Sequence, residues 1–148
     1  MNTILLVHGP NLNMLGERDK GHYGSLTLSD IETLVASEAK QAGFDIKSFQ
    51  SNHEGVLIDF LQKESKNASG IIINPGALTH GSYALHDALL DTGLPTVEVH
   101  LSDVNAREEW RRLSVTAPAC IGVVSGKKEK GYSEALSMLR DHLASKNA

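Results

Sequence analysis

The sequence predicts an α/β fold, a parallel sheet of five strands with helices on both faces. Three observations predict it. Strand-like apolar runs alternate with amphipathic stretches along the whole chain, the order that produces right-handed crossovers. The run "GIIIN" at 70–74 shows no apolar–polar alternation, as expected of a strand covered on both sides. A length of 148 residues supports one core and is short for two, so residues 1–148 read as a single domain.

The elements follow in order. Thr3–His8 is the first strand. A helix is predicted over 28–42, where Ile31, Leu34, Val35, Ala39 and Ala42 share a face; Ser29 and Glu32 make a capping box and Gly43 suits the C-terminal cap. The second strand covers 44–49. The second helix covers 54–65, with Asn52 as its cap and Val56, Leu57, Phe60 and Leu61 apolar. After the strand at 70–74, a third helix over 82–92 stops at Gly93. Strands at 95–100 ("PTVEVH") and 120–125 ("CIGVVS") precede a last helix over 132–144, with Ala135, Leu136, Leu139 and Leu143 on one side. A flavodoxin-like three-layer sandwich fits this succession, although strand order is not itself written in it.

Composition narrows the function classes. The formal charge of −4 gives no basic field for nucleic acid or anionic lipid. The longest pure apolar run, "ILLV", is far short of the ~20 residues of a membrane span. The opening "MNTILL" lacks the features of a signal peptide, and the single cysteine cannot form an intrachain disulfide, so the expectation is a cytoplasmic protein. Cys120 lies in "ACIGVV" and reads as a buried structural thiol rather than a nucleophile.

In an open parallel sheet, ligands bind beyond the carboxyl ends of the strands, at the reversal of strand order. Three loops would meet there. The first, "HGPNLNMLGERDKGHYGS", is long and polar for a connection; Gly16 and Gly24 bracket it like hinges of a lid, with Arg18 and Tyr23 inside. A phenol acts as a base near neutrality only if its anion is stabilised, and a neighbouring guanidinium is one device; the plainer reading is a packed tyrosine and a solvated arginine. The second, "NPGALTHGS", places Asn74 at a strand end as an amide donor or a turn cap, and His80 just before a helix start that favours anions. The third follows "VEVH". Glu98 and His100 are two apart and so share a face, and a carboxylate beside an imidazole fixes its tautomer and supports its protonated form. The backbone of Leu101 and Ser102 follows as a carboxylate holder. Arg107 and Arg111, four apart, share a face if the segment is helical, and either bind substrate or form a solvated basic face.

Several signals are missing from the sequence. There is no GxxxxGK[ST], GxGxxG, CxxC, HExxH or GxSxG, so neither metal nor cofactor is expected. A base, an acid, amide donors and a cationic pocket suit proton abstraction beside a ketone with loss of a β-hydroxyl.

The blocks "GPNLNMLGERDKGHYG", "SNHEG", "NPGALTHGS" and "VEVHLSDVNARE", with "GY" near the end, resemble the type II 3-dehydroquinate dehydratases in order and spacing over nearly the whole chain. The resemblance implies a flavodoxin-like fold, a dodecamer built from trimers, and anti elimination of water from 3-dehydroquinate through an enolate to give 3-dehydroshikimate in the shikimate pathway. By position it implies Tyr23 as proton acceptor, Arg18 as its activator, His100 as proton donor oriented by Glu98, and Asn11 stabilising the enolate through a water. It implies that Asn74, Leu101 and Ser102 take the carboxylate and hydroxyls, that His80 and Arg111 bind ring hydroxyls, that Asp87 reaches a neighbouring subunit's site, and that Arg107 lies near the tyrosine. Departures from the family pattern occur at His8, Asp19, Lys20, Asn105, Leu113 and Val115. The rival readings are a flavodoxin-like module that binds an anionic small ligand without catalysis, and a surviving fold that has lost its activity.

Overall fold

The computed structural model describes residues 2–17, 20–23 and 25–146. Its strands are β1 (Thr3–His8), β2 (Asp45–Gln50), β3 (Gly70–Asn74), β4 (Thr96–His100) and β5 (Gly122–Ser125), all parallel and ordered β2-β1-β3-β4-β5. This is the doubly wound flavodoxin-like order. The strand direction of travel reverses between β1 and β3, which opens a crevice beyond their carboxyl ends. Register aligns those ends: His8 pairs with both Gln50 and Asn74, and His100 pairs with Ser125.

The helices are α1 (Lys20–Tyr23), α2 (Leu28–Gln41), α3 (Glu54–Glu64), α4 (Tyr83–Thr92) and α5 (Lys130–Lys146). Two cores form because the central strands have two apolar faces. Ile4, Leu6, Ile72, Val97 and Val99 pack under α2 and α5, while Leu5, Val7, Ile71 and Ile73 pack under α3 and α4. Each fully buried leucine or isoleucine here contributes about 2–5 kcal/mol by the cost of its truncation. Among the described residues, no helix is long and apolar enough to cross a membrane.

Three local expectations are corrected. The capping box of α2 is Thr27 with Asp30, not Ser29 with Glu32; the threonine hydroxyl accepts from the Asp30 amide and the aspartate accepts from the Thr27 amide. Both pairs have the same spacing, and the start of the helix at Leu28 makes Thr27 the N-cap. Asn52 does not cap α3, whose N-cap is His53. Its side chain works elsewhere, as described below. Finally, Arg107 and Arg111 do not share a helical face. Residues 104–112 form two short 3-10 turns, Val104–Ala106 and Glu109–Arg112, and Arg107 sits between them in extended backbone.

Glycine is required where two loops cross. A Cβ on Gly9 would stand 2.2 Å from the Pro75 carbonyl oxygen, and one on Gly76 would stand 2.9 Å from that of Pro10. The Gly-Pro after β1 and the Pro-Gly after β3 thus lie back to back, tied by the Gly9 N–H to the Asn74 carbonyl at 2.8 Å. That contact joins the first and second polar loops over the crevice.

Candidate active site

Each loop supplies its part for a local reason. Asn11 adopts a left-handed backbone (φ 70°), which asparagine tolerates better than most side chains. Its N–H is held by the Asn52 side-chain oxygen at 2.9 Å, which also accepts from Gln50 at 3.2 Å. Gln50 in turn donates to the Gly9 carbonyl at 3.1 Å. The end of β2 therefore fixes the start of the first loop. Asn74 ends β3 and its oxygen accepts from the Gly76 N–H at 3.1 Å, so the turn orients the amide.

At the end of β4, Glu98 is fully buried and His100 nearly so. The imidazole Nε2 lies 2.8 Å from the Glu98 carboxylate. Ser114 donates to the same carboxylate at 2.9 Å and Thr116 donates to its other oxygen. Burial on its own pushes the Glu98 carboxyl up, but the His100 hydrogen bond and charge, with the two hydroxyls, outweigh it and hold the group below its ordinary range. An ionised carboxylate only accepts, so Nε2 carries a hydrogen and Nδ1 is left as the nitrogen that can exchange a proton.

The third loop meets the first. Arg107 donates to the Tyr23 hydroxyl at 2.7 Å and to Ser102 at 3.3 Å, and its guanidinium carbon lies 5.2 Å from the Tyr23 ring centroid. Lys128, after β5, donates to the Gly21 carbonyl at 3.2 Å and so braces α1 from a further loop. Arg111 is anchored by Glu108 at 2.8 Å, and His80 Nδ1 donates to the Leu113 carbonyl at 2.7 Å.

These residues line one cleft of about 130 Å³ at the crevice: Asn11, Tyr23, Asn74, His80, His100, Leu101, Ser102, Arg107 and Arg111 all face it. A phenol under a guanidinium, an imidazole backed by a buried carboxylate, an amide and a second guanidinium therefore surround a space of small-molecule size. That set can accept a proton, donate one and hold an anion. Among the described residues, no group of three or more acidic, histidine or cysteine side chains converges in a way that would hold a metal ion.

The Dehydroquinase class II family profile matches residues 2–140. The chain belongs to the class II dehydroquinase family. It is 54% identical to a 3-dehydroquinate dehydratase of Clostridium beijerinckii over 137 residues, 92% of this chain and 94% of that one. It is 47% identical to one of Caldicellulosiruptor bescii, covering 97% and 99% of the two chains. The crystal structure of a type II dehydroquinase from Butyrivibrio crossotus superposes with a TM-score of 0.90 at 44% identity, covering 93% of this chain and 97% of that one.

Seen as a class II dehydroquinase, the chain brings together most of the residues expected from sequence. Glu98 lies behind His100 rather than on the cleft. Arg18 and Gly24 lie outside the described residues. Asp87 does not line the cleft; it is exposed on α4, with its carboxylate 3.1 Å from His86. Cys120 is part-buried, and burial followed by the Glu98 charge pushes its thiol up to about 12, against a nucleophilic role. The sequence reading missed Ser114 and Thr116, the hydroxyls on Glu98, and Lys128, because nothing in spacing shows that residues sixteen and eighteen positions past Glu98 return to it. Within "SNHEG" it assigned only Asn52, as the cap of the second helix. Besides Asn52, this block supplies Glu54, which accepts from Ser82, the N-cap of α4.

The departures from the family pattern differ in their settings. Leu113 and Val115 act through backbone: the Leu113 carbonyl holds His80, and the Val115 N–H donates to the Thr79 carbonyl at 2.8 Å. Asn105 is exposed. His8 is fully buried with Nε2 3.4 Å from Glu32. Asp19 lies outside the described residues, and Lys20 opens α1.

Proposed function

We propose that this chain, acting as one catalytic domain, eliminates water from 3-dehydroquinate to give 3-dehydroshikimate, with Tyr23 as base and His100 as acid. The observation that carries the residue assignment is the Arg107 guanidinium on the Tyr23 hydroxyl, within the same cleft as the Glu98-backed imidazole. The Arg107 N–H points at the oxygen that acts as the base. Tyr23 takes the proton from the carbon beside the ketone, and the electron pair moves into the carbonyl to form an enolate. Asn11, through a water, stabilises the enolate oxygen. The enolate then reforms the ketone as the β C–O bond breaks, and the leaving oxygen takes a proton from the His100 imidazolium, which Glu98 has steadied. The two groups act on opposite sides of the substrate ring, which gives anti elimination.

Asn74 and the backbone of Leu101 and Ser102 hold the carboxylate and hydroxyls, and His80 and Arg111 hold ring hydroxyls. Arg18 shares the activation of Tyr23. Asp87, exposed on α4, reaches the site of a neighbouring subunit in a dodecamer built from trimers. Exposed apolar side chains nearby, Tyr83 and Leu90 on α4, support burial of that face in an assembly. A cytoplasmic location belongs to the same reading. An anion-binding module would have no use for a buried carboxylate behind an imidazole.

The test is direct. Protein mixed with 3-dehydroquinate should produce the ultraviolet absorbance of the conjugated enone, with no added metal or cofactor. A folded protein that gives no rise refutes the dehydratase reading.

A further inference from the structure

We propose that Trp110 is a positioning residue for substrate binding, whose indole fixes the two side chains assigned above to the ring hydroxyls; the inference rests on that assignment. Trp110 lies in the 3-10 turn Glu109–Arg112. The Arg111 guanidinium carbon sits 4.1 Å from the centroid of its indole. The His80 ring meets the same indole edge-on, at 5.1 Å and 90°. Each of the two groups also has a polar tether of its own, Glu108 for Arg111 and the Leu113 carbonyl for His80. A single tether leaves a long side chain free to swing about it. An aromatic face as the second contact removes that freedom. With its Nε committed to Glu108, Arg111 keeps its terminal nitrogens for oxygens in the cleft, among the described residues.

The indole is 51% exposed, so burial of its own surface does not explain its place. Its contacts do: one π surface joins a residue of the loop after β3 to a residue of the loop after β4. Each lies in a short 3-10 turn, and the two side chains must converge on one substrate ring. An aromatic clamp between them sets their separation before substrate arrives.

The test uses the full chain. Trp110 is its single tryptophan, so emission excited selectively in the indole band reports on this clamp. Titration with 3-dehydroshikimate should change the emission saturably. Trp110→Ala should raise KM for 3-dehydroquinate about tenfold with kcat nearly unchanged, and Trp110→Phe should restore most of the loss because it keeps a π face. His80→Ala and Arg111→Ala are measured alongside. If those two raise KM and Trp110→Ala does not, the clamp is refuted and the site assignment stands. If neither raises KM, the assignment itself fails and the clamp with it. A Phe variant as impaired as the alanine, or a KM rise that tracks loss of circular dichroism or of assembly size, overturns the positioning role in favour of a structural one.

Discussion

The acid end and the base end of the cleft are built in different ways. His100 closes a central strand, and its partner carboxylate is sealed in the core with two hydroxyls on it. Tyr23 ends a four-residue helix, and the tethers that bring it to the cleft come from other loops: Arg107 on its hydroxyl and Lys128 on the backbone two residues before it. The sheet therefore positions the acid, whereas contacts between loops position the base. The network that orients His100 lies within the core, whereas Tyr23 packs against the core only from its edge.

The largest effects should separate chemistry from folding. Tyr23→Phe should lower kcat by about 10²–10⁴-fold while leaving the thermal midpoint nearly unchanged, since only one part-buried hydroxyl is lost. Stopped-flow enone absorbance and calorimetry check the two parts; a large fall in midpoint would show that the base end is also structural. His100→Ala should cost a similar factor in kcat. Next, Arg107→Ala should lower kcat by about 10²-fold, because the oxygen acting as base loses its guanidinium N–H. An unchanged kcat would assign activation of Tyr23 to another group.

Glu98→Gln sharpens the contrast from the other side. It should lower kcat by about tenfold and also reduce stability, because a buried hydrogen-bond network loses its charged acceptor. The sign with pH follows from its depressed folded value. Stability from Glu98 is present above the ordinary carboxylate value of 4.5 and is lost as pH falls through the lower folded value. The acid limb of the stability curve should therefore be shallower in Glu98→Gln, as read by denaturant titration from pH 7 downward. An unchanged limb would mean that the pair does not contribute to folding. The smallest effect is expected of Asn52→Ala, which frees the Asn11 N–H. It should raise KM or lower kcat only severalfold, with stability changed by about 1 kcal/mol.

Much of the acid end was legible before folding. Glu98 and His100 are neighbours on one strand, and strand geometry alone makes them meet. The base end was legible only as a list of candidates. Tyr23 and Arg107 are 84 residues apart, and no local rule connects them. The proposal that two arginines spaced by four share a helical face failed because residues 104–112 turn in 3-10 geometry, where the same spacing means something else. Likewise, the spacing of a capping box was met twice around residue 29, and the start of the helix at Leu28 made Thr27 the N-cap.

The sequence by itself determined the alternation of strands and helices, the doubly covered apolar strands and the adjacency of Glu98 to His100, because these depend on periodicity and burial within short windows. The tertiary structure decided which loops cross at Gly9 and Gly76, which hydroxyls return to Glu98, and which guanidinium reaches the phenol. Those contacts join distant segments, and their geometry is set by strand order and register, which a linear pattern does not encode.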